Sequence, residues 1–197
     1  MTIWDQKYNT TDFLYGEQPN SFLVEQSQHI KPNSKILCLA EGEGRNAVFL
    51  AKLGHQVTAV DLSQVGLNKL HQLAQKNHVT IQTICSDLSD YPFPQDYFDV
   101  VVSIWCHLPP HLRNEVHKKV YKALRPKGLF ILEAYTPKQL FYKTGGPADE
   151  SLLVQLEDIK NDFPELNACL ARECERFIEE GQGHKGQSAV VQFVGQK

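Results

Sequence analysis

Several things are scarce in this sequence, and each scarcity removes a class of protein. No stretch approaches the ~20 consecutive apolar residues that a helix needs to cross a bilayer, and the first residues, MTIWDQKYN, lack the apolar heart of a signal peptide. There is no basic excess: the formal net charge is −3 with no long run of one sign. A general nucleic-acid binder would need a basic footprint. The five cysteines, Cys38, Cys85, Cys106, Cys169 and Cys174, are odd in number and contain no C-x-x-C pair. They read as reduced thiols of a cytosolic protein. There is no internal repeat and no low-complexity linker. What remains is ordinary globular material, 42% hydrophobic and 22% charged over 197 residues. That length suits one domain, 1–197, with 1–33 as an aromatic and polar lead-in and 34–197 as the core.

From Lys35 onward short apolar runs alternate with helical patterns. Lys35 to Ala40 (KILCLA) reads as a buried strand. Arg45 to Leu53 reads as a helix, with Ala47, Leu50 and Ala51 on one face and Gly54 as its stop. Gln56 to Val60 is a second strand, and Ser63 can cap a second helix carrying Leu67, Leu70 and Ala74. Val79 to Ile84, Phe98 to Ile104 and Leu129 to Tyr135 follow as strands. A helix begun by Pro109-Pro110 lies before the last of them, and Arg125 to Gly128 reads as a turn. Strand–helix alternation implies parallel pairing and right-handed crossovers. The tail differs: Ser151 to Asp162 has helical spacing. Ala168 to Ile178 and Ser188 to Val194 are strand-like around the polar loop EEGQGHKGQ, with no room for a helix between them. The expectation is a doubly wound, mostly parallel α/β sheet of seven strands ending in an antiparallel hairpin.

The candidate site lies at the strand ends. Glu41-Gly42-Glu43-Gly44-Arg45 follows the first strand, and its glycines allow a tight turn and close approach of a ligand before a helix start. Asp61 closes the second strand, 19 residues after Gly42, where a carboxylate can accept both ribose hydroxyls. Asp87 follows the third, where an acceptor can take the adenine amine. Together they fit one adenosine across the sheet crevice. Gly42-x-Gly44-x-x-Ala47 also matches the dinucleotide fingerprint, so a small NAD(P)-dependent oxidoreductase is one rival. No separate substrate domain follows, however, and no Tyr-x-x-x-Lys pair is present. A non-catalytic module binding an adenosine ligand is another.

These residues, with WDQKY and FLYGEQPNSFL at the front, LAEGEGRNAVFLA, VTAVDLS, FDVVVSIWCHLPP, LRPKGLFILEAYTPKQL and the terminal SAVVQFV, make the chain resemble the class I S-adenosylmethionine-dependent methyltransferases. Their small thiopurine-type and tellurite-resistance-type branch is the most similar. The resemblance implies S-adenosylmethionine as cofactor and a small molecule as methyl acceptor, a thiol, thiopurine or chalcogen oxyanion, and leaves the oligomeric state open. It implies that Gly42 and Gly44 pack against the methionine part. Asp61, with Leu62 beside it, would hold the ribose, and Asp87 with Leu88 would read the adenine. Ser103 and Trp105 would border the methyl group. One departure stands out: Cys38 and Ala40 occupy places usually held by an acid and a glycine. Glu41 is the candidate replacement for the acid, and Arg45 for a contact to the cofactor carboxylate. Trp4, Tyr8, Tyr15, Asn20, Tyr135 and His184 are candidate walls of the acceptor pocket, with the first four in a lid. His107 and Tyr15 are the candidate catalytic residues. No metal site is expected, because Pro109-Pro110 keeps His107, His111 and His117 off a shared helical face.

Overall fold

The computed structural model describes residues 2–197. The lead-in forms two short helices. In α1 (Ile3–Tyr8), Thr2 and Asp5 cap reciprocally, and in α2 (Ser21–Ser27) the Asn20 side chain accepts from Leu23 N–H. The alternating segment then runs β1 (Lys35–Leu39), α3 (Arg45–Lys52), β2 (Gln56–Asp61), α4 (Gln64–Lys76), β3 (Gln82–Cys85), β4 (Phe98–Ile104), α5 (Pro110–Ala123) and β5 (Leu124–Tyr135). The tail adds α6 (Gln139–Tyr142), a 3-10 turn at Glu150–Leu152, α7 (Leu156–Asp162), β6 (Asn167–Glu180) and β7 (His184–Gln196).

The strands make one sheet in the order β3-β2-β1-β4-β5-β7-β6. All pairs are parallel except β5 with β7 and β6 with β7. Central strands covered on both faces carry near-continuous apolar runs, as β1 does from Ile36 to Leu39 and β4 from Val100 to Val102. Their alternating side chains feed two cores. Leu37, Leu39, Val101, Phe130 and Phe193 pack with Val116, Val120 and Phe163 on one face. Ile36, Cys38, Val100 and Val102 pack with Phe22, Leu23, Leu50, Leu67 and Leu70 on the other. Strand order reverses between β1 and β4, and in open α/β sheets ligands bind outside the carboxyl ends of the strands at such a point. Because β7 runs antiparallel to β5, the β6–β7 turn projects beyond that same carboxyl edge.

Four details differ from the sequence reading. The third strand starts at Gln82 rather than Val79, because Val79 N–H donates back to Ala74 carbonyl and closes α4. Residues 151–162 are not one helix: Val154 N–H donates to Tyr135 carbonyl (2.9 Å), and that crossing separates the 3-10 turn from α7. The turn expected at Arg125–Gly128 lies inside β5, where a bulge against β4 and pairing with Lys197 absorb it. The hairpin is longer than read, leaving only Gly181-Gln182-Gly183 as its turn.

Candidate active site

The turn after β1 is built on left-handed backbone. Ala40, Gly42 and Gly44 have φ of 47°, 61° and 92°. For Ala40 the conformation costs roughly 1 kcal/mol more than for glycine, so the departure at this position leaves the turn's shape intact. Asp61 secures the turn: one carboxylate oxygen accepts from Gly42 N–H (2.7 Å), the other from Ser63 N–H (2.7 Å). An ionised carboxylate offers about four acceptor directions, so Asp61 keeps capacity for further donors. Burial raises its pKa against these hydrogen bonds. Glu41 accepts from Ala47 N–H (2.8 Å) at the start of α3, yet burial lifts its carboxyl to about 7. Asp87 stands next along the edge, just after Ser86, whose N–H bonds Asp61 carbonyl (3.0 Å). Asp61 and Asp87 therefore share one side of the sheet. Leu88 is buried beside Asp87, Ser103 is buried at the end of β4, and Leu62 is exposed.

The lead-in closes over this turn. Tyr8 is buried, with its hydroxyl where a Gly42 side chain would be: a Cβ there would lie 2.5 Å from Tyr8 Oη. Trp4 stacks on Tyr8 at 5.7 Å, and Tyr15 meets Tyr8 edge-on at 6.4 Å. The segment is fastened at three places. Asp5 accepts from Ser63 Oγ (2.7 Å), which holds its carboxyl down at about 2. Lys69 pairs with the buried Glu43 and donates to Tyr8 and Asp12 carbonyls. Leu14 carbonyl accepts from Gln182 and Gly183 N–H of the hairpin turn.

Beyond the glycine turn the side chains at the strand ends form an aromatic cluster, called the chamber below for the acceptor site it is a candidate for. Trp105 stacks on Tyr135 at 4.4 Å, and His107 lies parallel to Tyr135 at 5.7 Å. His184 meets Trp105 and Tyr135 edge-on and lies 4.5 Å from the Tyr15 ring. Three buried polar atoms here lack hydrogen-bond partners: His107 Nε2, Tyr135 Oη and His184 Nδ1. Native interiors seldom leave such atoms unpaired; a ligand could satisfy His107 Nε2 and Tyr135 Oη, while His184 Nδ1 lies 3.6 Å from Glu180 Oε2. Burial, with His184 adding to it, pushes His107 down to about 4. Its Nδ1 faces Leu152 carbonyl (3.0 Å) and so carries the proton. His107 is thus a neutral imidazole with an unpartnered Nε2 lone pair, and its lowered pKa makes it a weak base. Burial likewise raises Tyr15 and Tyr135 and lifts Cys106 to about 12.

Two carboxylates underlie the chamber. Glu133, fully buried on β5, accepts from Asn20 Nδ2 (2.6 Å), Arg176 Nη2 (2.7 Å) and Gln192 Nε2 (2.6 Å). Glu180, at the end of β6, accepts from Asn20 Nδ2 (2.9 Å), Arg45 Nη2 (2.6 Å) and Trp105 Nε1 (2.7 Å). Burial opposes ionisation of Glu180, but His184, Arg45 and Trp105 outweigh it and hold its carboxyl at about 2. This hub changes two expectations. Arg45 is committed to Glu180 and to Gln18 carbonyl (3.1 Å), so it is not free for a cofactor carboxylate. Asn20 is no wall residue: fully buried, it ties α2 to both carboxylates. Glu180 and Arg176 carried no sequence signal: Glu180 falls in the polar loop EEGQGHKGQ, and Arg176 is one of several charged residues in the strand-like run before it. His117, considered above for metal, instead bonds Asp162 (2.8 Å) between α5 and α7, and no metal-binding cluster exists among the described residues. A recess of about 270 Å³ lined by Lys35, His55, Thr58 and Tyr97 lies at the opposite, amino edge of the strands, away from all of these groups.

Residues 36–128 match the family model described as methyltransferase domain. The segment that holds the glycine turn, Asp61 and Asp87 is thus similar to methyltransferase domains. The chain is similar to an uncharacterized methyltransferase, YbaJ of Bacillus subtilis, at 31% identity over 111 residues, covering 56% of this chain and 44% of that one. It is also 31% identical over 100 residues to a probable S-adenosyl-L-methionine-dependent methyltransferase, TehB of Haemophilus influenzae, covering 51% of this chain and 32% of that one. The chain thus spans less than half the length of these curated relatives. Among solved structures, TehB from Haemophilus influenzae superposes with a TM-score of 0.74 at 20% identity, over 98% of this chain and 65% of that one. A structure described under conversion of a disulfide bond into a thioacetal group during echinomycin biosynthesis gives 0.82 at 14% identity, over 99% and 90%. At such identities the superpositions speak for the fold alone.

Proposed function

We propose that this protein transfers the methyl group of S-adenosylmethionine to a small, soft acceptor: a thiol, a thiopurine or a chalcogen oxyanion. The chemistry of the donor set fits the cofactor. Adenosine presents two vicinal hydroxyls and an amine, all donors, and the methionyl end carries positive charge. The edge offers carboxylates at Asp87, Asp61 and Glu41, following β3, β2 and β1 in turn, the order that adenine, ribose and the methionyl end of one extended molecule would need. In this reading Asp61 and Asp87 hold the adenosine and Glu41 faces the methionyl ammonium. Gly42 and Gly44 leave room for the chain to approach, and Tyr8 closes the lid. When bound, the cofactor supplies an electrophilic methyl on a sulfonium.

The observation that carries the acceptor class is the weakness of the bases in the chamber. His107 is held at about 4, and burial also keeps His184 below its usual value. Cys106, Tyr15 and Tyr135 are pushed up and stay protonated at neutral pH. No such group ionises an alcohol or phenol, whereas a thiol near pKa ~8.5 lies within about two units of an ordinary imidazole. The chain's own contribution is then alignment in a water-poor chamber, where proximity supplies up to ~7–11 kcal/mol in favourable cases. The test is transfer of labelled methyl from S-adenosylmethionine across thiols, thiopurines, selenite and tellurite, phenols and amines. Transfer to the soft acceptors is expected. Transfer to phenols alone refutes the acceptor class, and binding of S-adenosylhomocysteine without any turnover would leave the binding-module reading in its place.

A further inference from the structure

The two imidazoles of the chamber are wired differently. His107 faces only a backbone carbonyl, so a proton on its Nε2 would create an uncompensated buried cation. His184 has a carboxylate behind it: Nδ1 lies 3.6 Å from Glu180 Oε2. Glu180 is ionised and can only accept, so Nδ1 carries the proton and Nε2 is the lone pair. The contact is longer than a hydrogen bond because Oε2 already receives Arg45 and Trp105. Catalytic hydrogen bonds that are long in a free site commonly tighten when charge develops. The ring is held by its surroundings as well. Tyr15 lies at 4.5 Å, and a Cβ on Gly145 would come within 2.8 Å of His184 Cδ2.

We propose that His184, backed by Glu180, takes the proton of the acceptor during methyl transfer. This rests on the soft-acceptor reading and narrows it to acceptors that arrive protonated, that is, thiols. The S–H bond breaks, its proton passes to His184 Nε2, and its electron pair stays on the acceptor sulfur. That sulfur forms the new bond to the methyl carbon. The old carbon–sulfur bond breaks with its electrons returning to the sulfonium sulfur, giving the thioether and S-adenosylhomocysteine. The imidazolium is neutralised by Glu180 until its proton leaves to water. The charged groups facing His184 are Glu180 from β6, Glu133 from β5, Arg45 from α3 and, from the loop after β4, the neutral His107. Tyr15 and Tyr135 face it as protonated phenols. Burial holds the imidazole neutral at pH 7, Glu180 and Glu133 favour its cation, and Arg45 opposes it.

Two measurements test this. In nitrogen-15 spectra of the histidine-labelled protein bound to S-adenosylhomocysteine, His184 is expected as the Nδ1–H tautomer. Glu180→Gln should lower its titration midpoint by about one pH unit. An Nε2–H tautomer, or an unmoved midpoint, overturns the pairing. In turnover, His184→Gln should lower kcat/KM about 10²-fold for an alkyl thiol that is protonated at pH 7 and abolish the acidic limb of its pH profile. For an aromatic thiol already ionised at that pH the loss should be only a few-fold, with S-adenosylhomocysteine affinity unchanged. An equal loss for both thiols, or a limb that survives, overturns the role. If the wild-type protein methylates selenite or tellurite but no thiol, the proton-transfer role fails while the soft-acceptor reading stands; if it binds S-adenosylhomocysteine and methylates none of the soft acceptors, both fail. The tautomer and midpoint then report on the pairing alone. Should Glu180→Gln fail to fold, the tautomer in the wild type and the two-thiol comparison still decide.

Discussion

Asn20 offers a sharp test of the buried hub, because two substitutions there pull in different directions. Its side-chain oxygen caps α2 through Leu23 N–H (2.9 Å), and its amide nitrogen donates to Glu133 (2.6 Å) and Glu180 (2.9 Å). Asn20→Ala removes the cap, about 1 kcal/mol. It also strips Glu180 Oε1 of its hydrogen-bond donor, a further ~1–3 kcal/mol. The sum is about 2–4 kcal/mol, or roughly 4–16 °C in Tm for a chain of this size. Asn20→Asp keeps a capping oxygen but sets a third carboxylate against two others. The new carboxyl must stay protonated in the fold, so its folded pKa lies above its unfolded value of ~3.9. Its stability is then fully present below about pH 4 and falls by about 1.4 kcal/mol per pH unit until the folded pKa is passed. Urea unfolding at pH 8 should therefore rank wild type, Asn20→Ala, Asn20→Asp in decreasing stability, with the aspartate variant recovering toward pH 5. If Asn20→Asp is the milder change at pH 8, the amide does not donate to the carboxylates and the hub is misassigned.

Other outcomes follow from the same geometry. Asp61→Asn should weaken S-adenosylhomocysteine binding by about 10–150-fold, corresponding to a lost charged hydrogen bond of ~1.5–3 kcal/mol, read by calorimetric titration. Glu41 is raised to about 7, so the stability linked to its protonation is present below its unfolded value and is lost as pH climbs through about 7. Glu41→Gln should raise Tm at pH 8, leave it nearly unchanged at pH 5, and still weaken S-adenosylhomocysteine binding at pH 8. Asp162 is depressed to about 2: burial opposes this, and His117, Asn114 and Arg113 outweigh it. Its contribution is therefore present above the unfolded carboxylate pKa and is lost as pH falls through about 2. Asp162→Asn, which leaves Arg113 and His117 without their shared anion, should cost about 3 kcal/mol at pH 7, with the effect fading in acid denaturation curves.

The sheet was legible because strands covered on both faces carry unbroken apolar runs, as in KILCL and FDVVVSI, and the helices between them carry a single stripe. Ser63 announced the start of α4 by its side chain alone. The carboxyl edge that carries Gly42, Gly44, Asp61 and Asp87 was legible too, since glycines and aspartates recur just where strands end. What escaped the sequence were contacts across long separations. Arg45 looked free because its partner, Glu180, is 135 residues away. Asn20 looked like a wall because a buried amide and an exposed one have the same letter. His107 looked like the base because it follows a parallel strand, yet its basicity depends on burial against Leu152 and Tyr135. Residues 153–154 broke a helical pattern because the sheet edge at Tyr135 offered their backbone a better partner.

The family-matched segment, 36–128, contains the glycine turn, Asp61, Asp87, Trp105 and His107. Tyr8 and Tyr15 precede it, and Tyr135, Glu180 and His184 follow it. Chain ends drawn from opposite directions thus meet over the middle segment, which in the proposed reading handles the nucleoside. Descendants of such a protein can rewrite either end, and with it the molecule they modify, while the part that grips adenosine stays untouched.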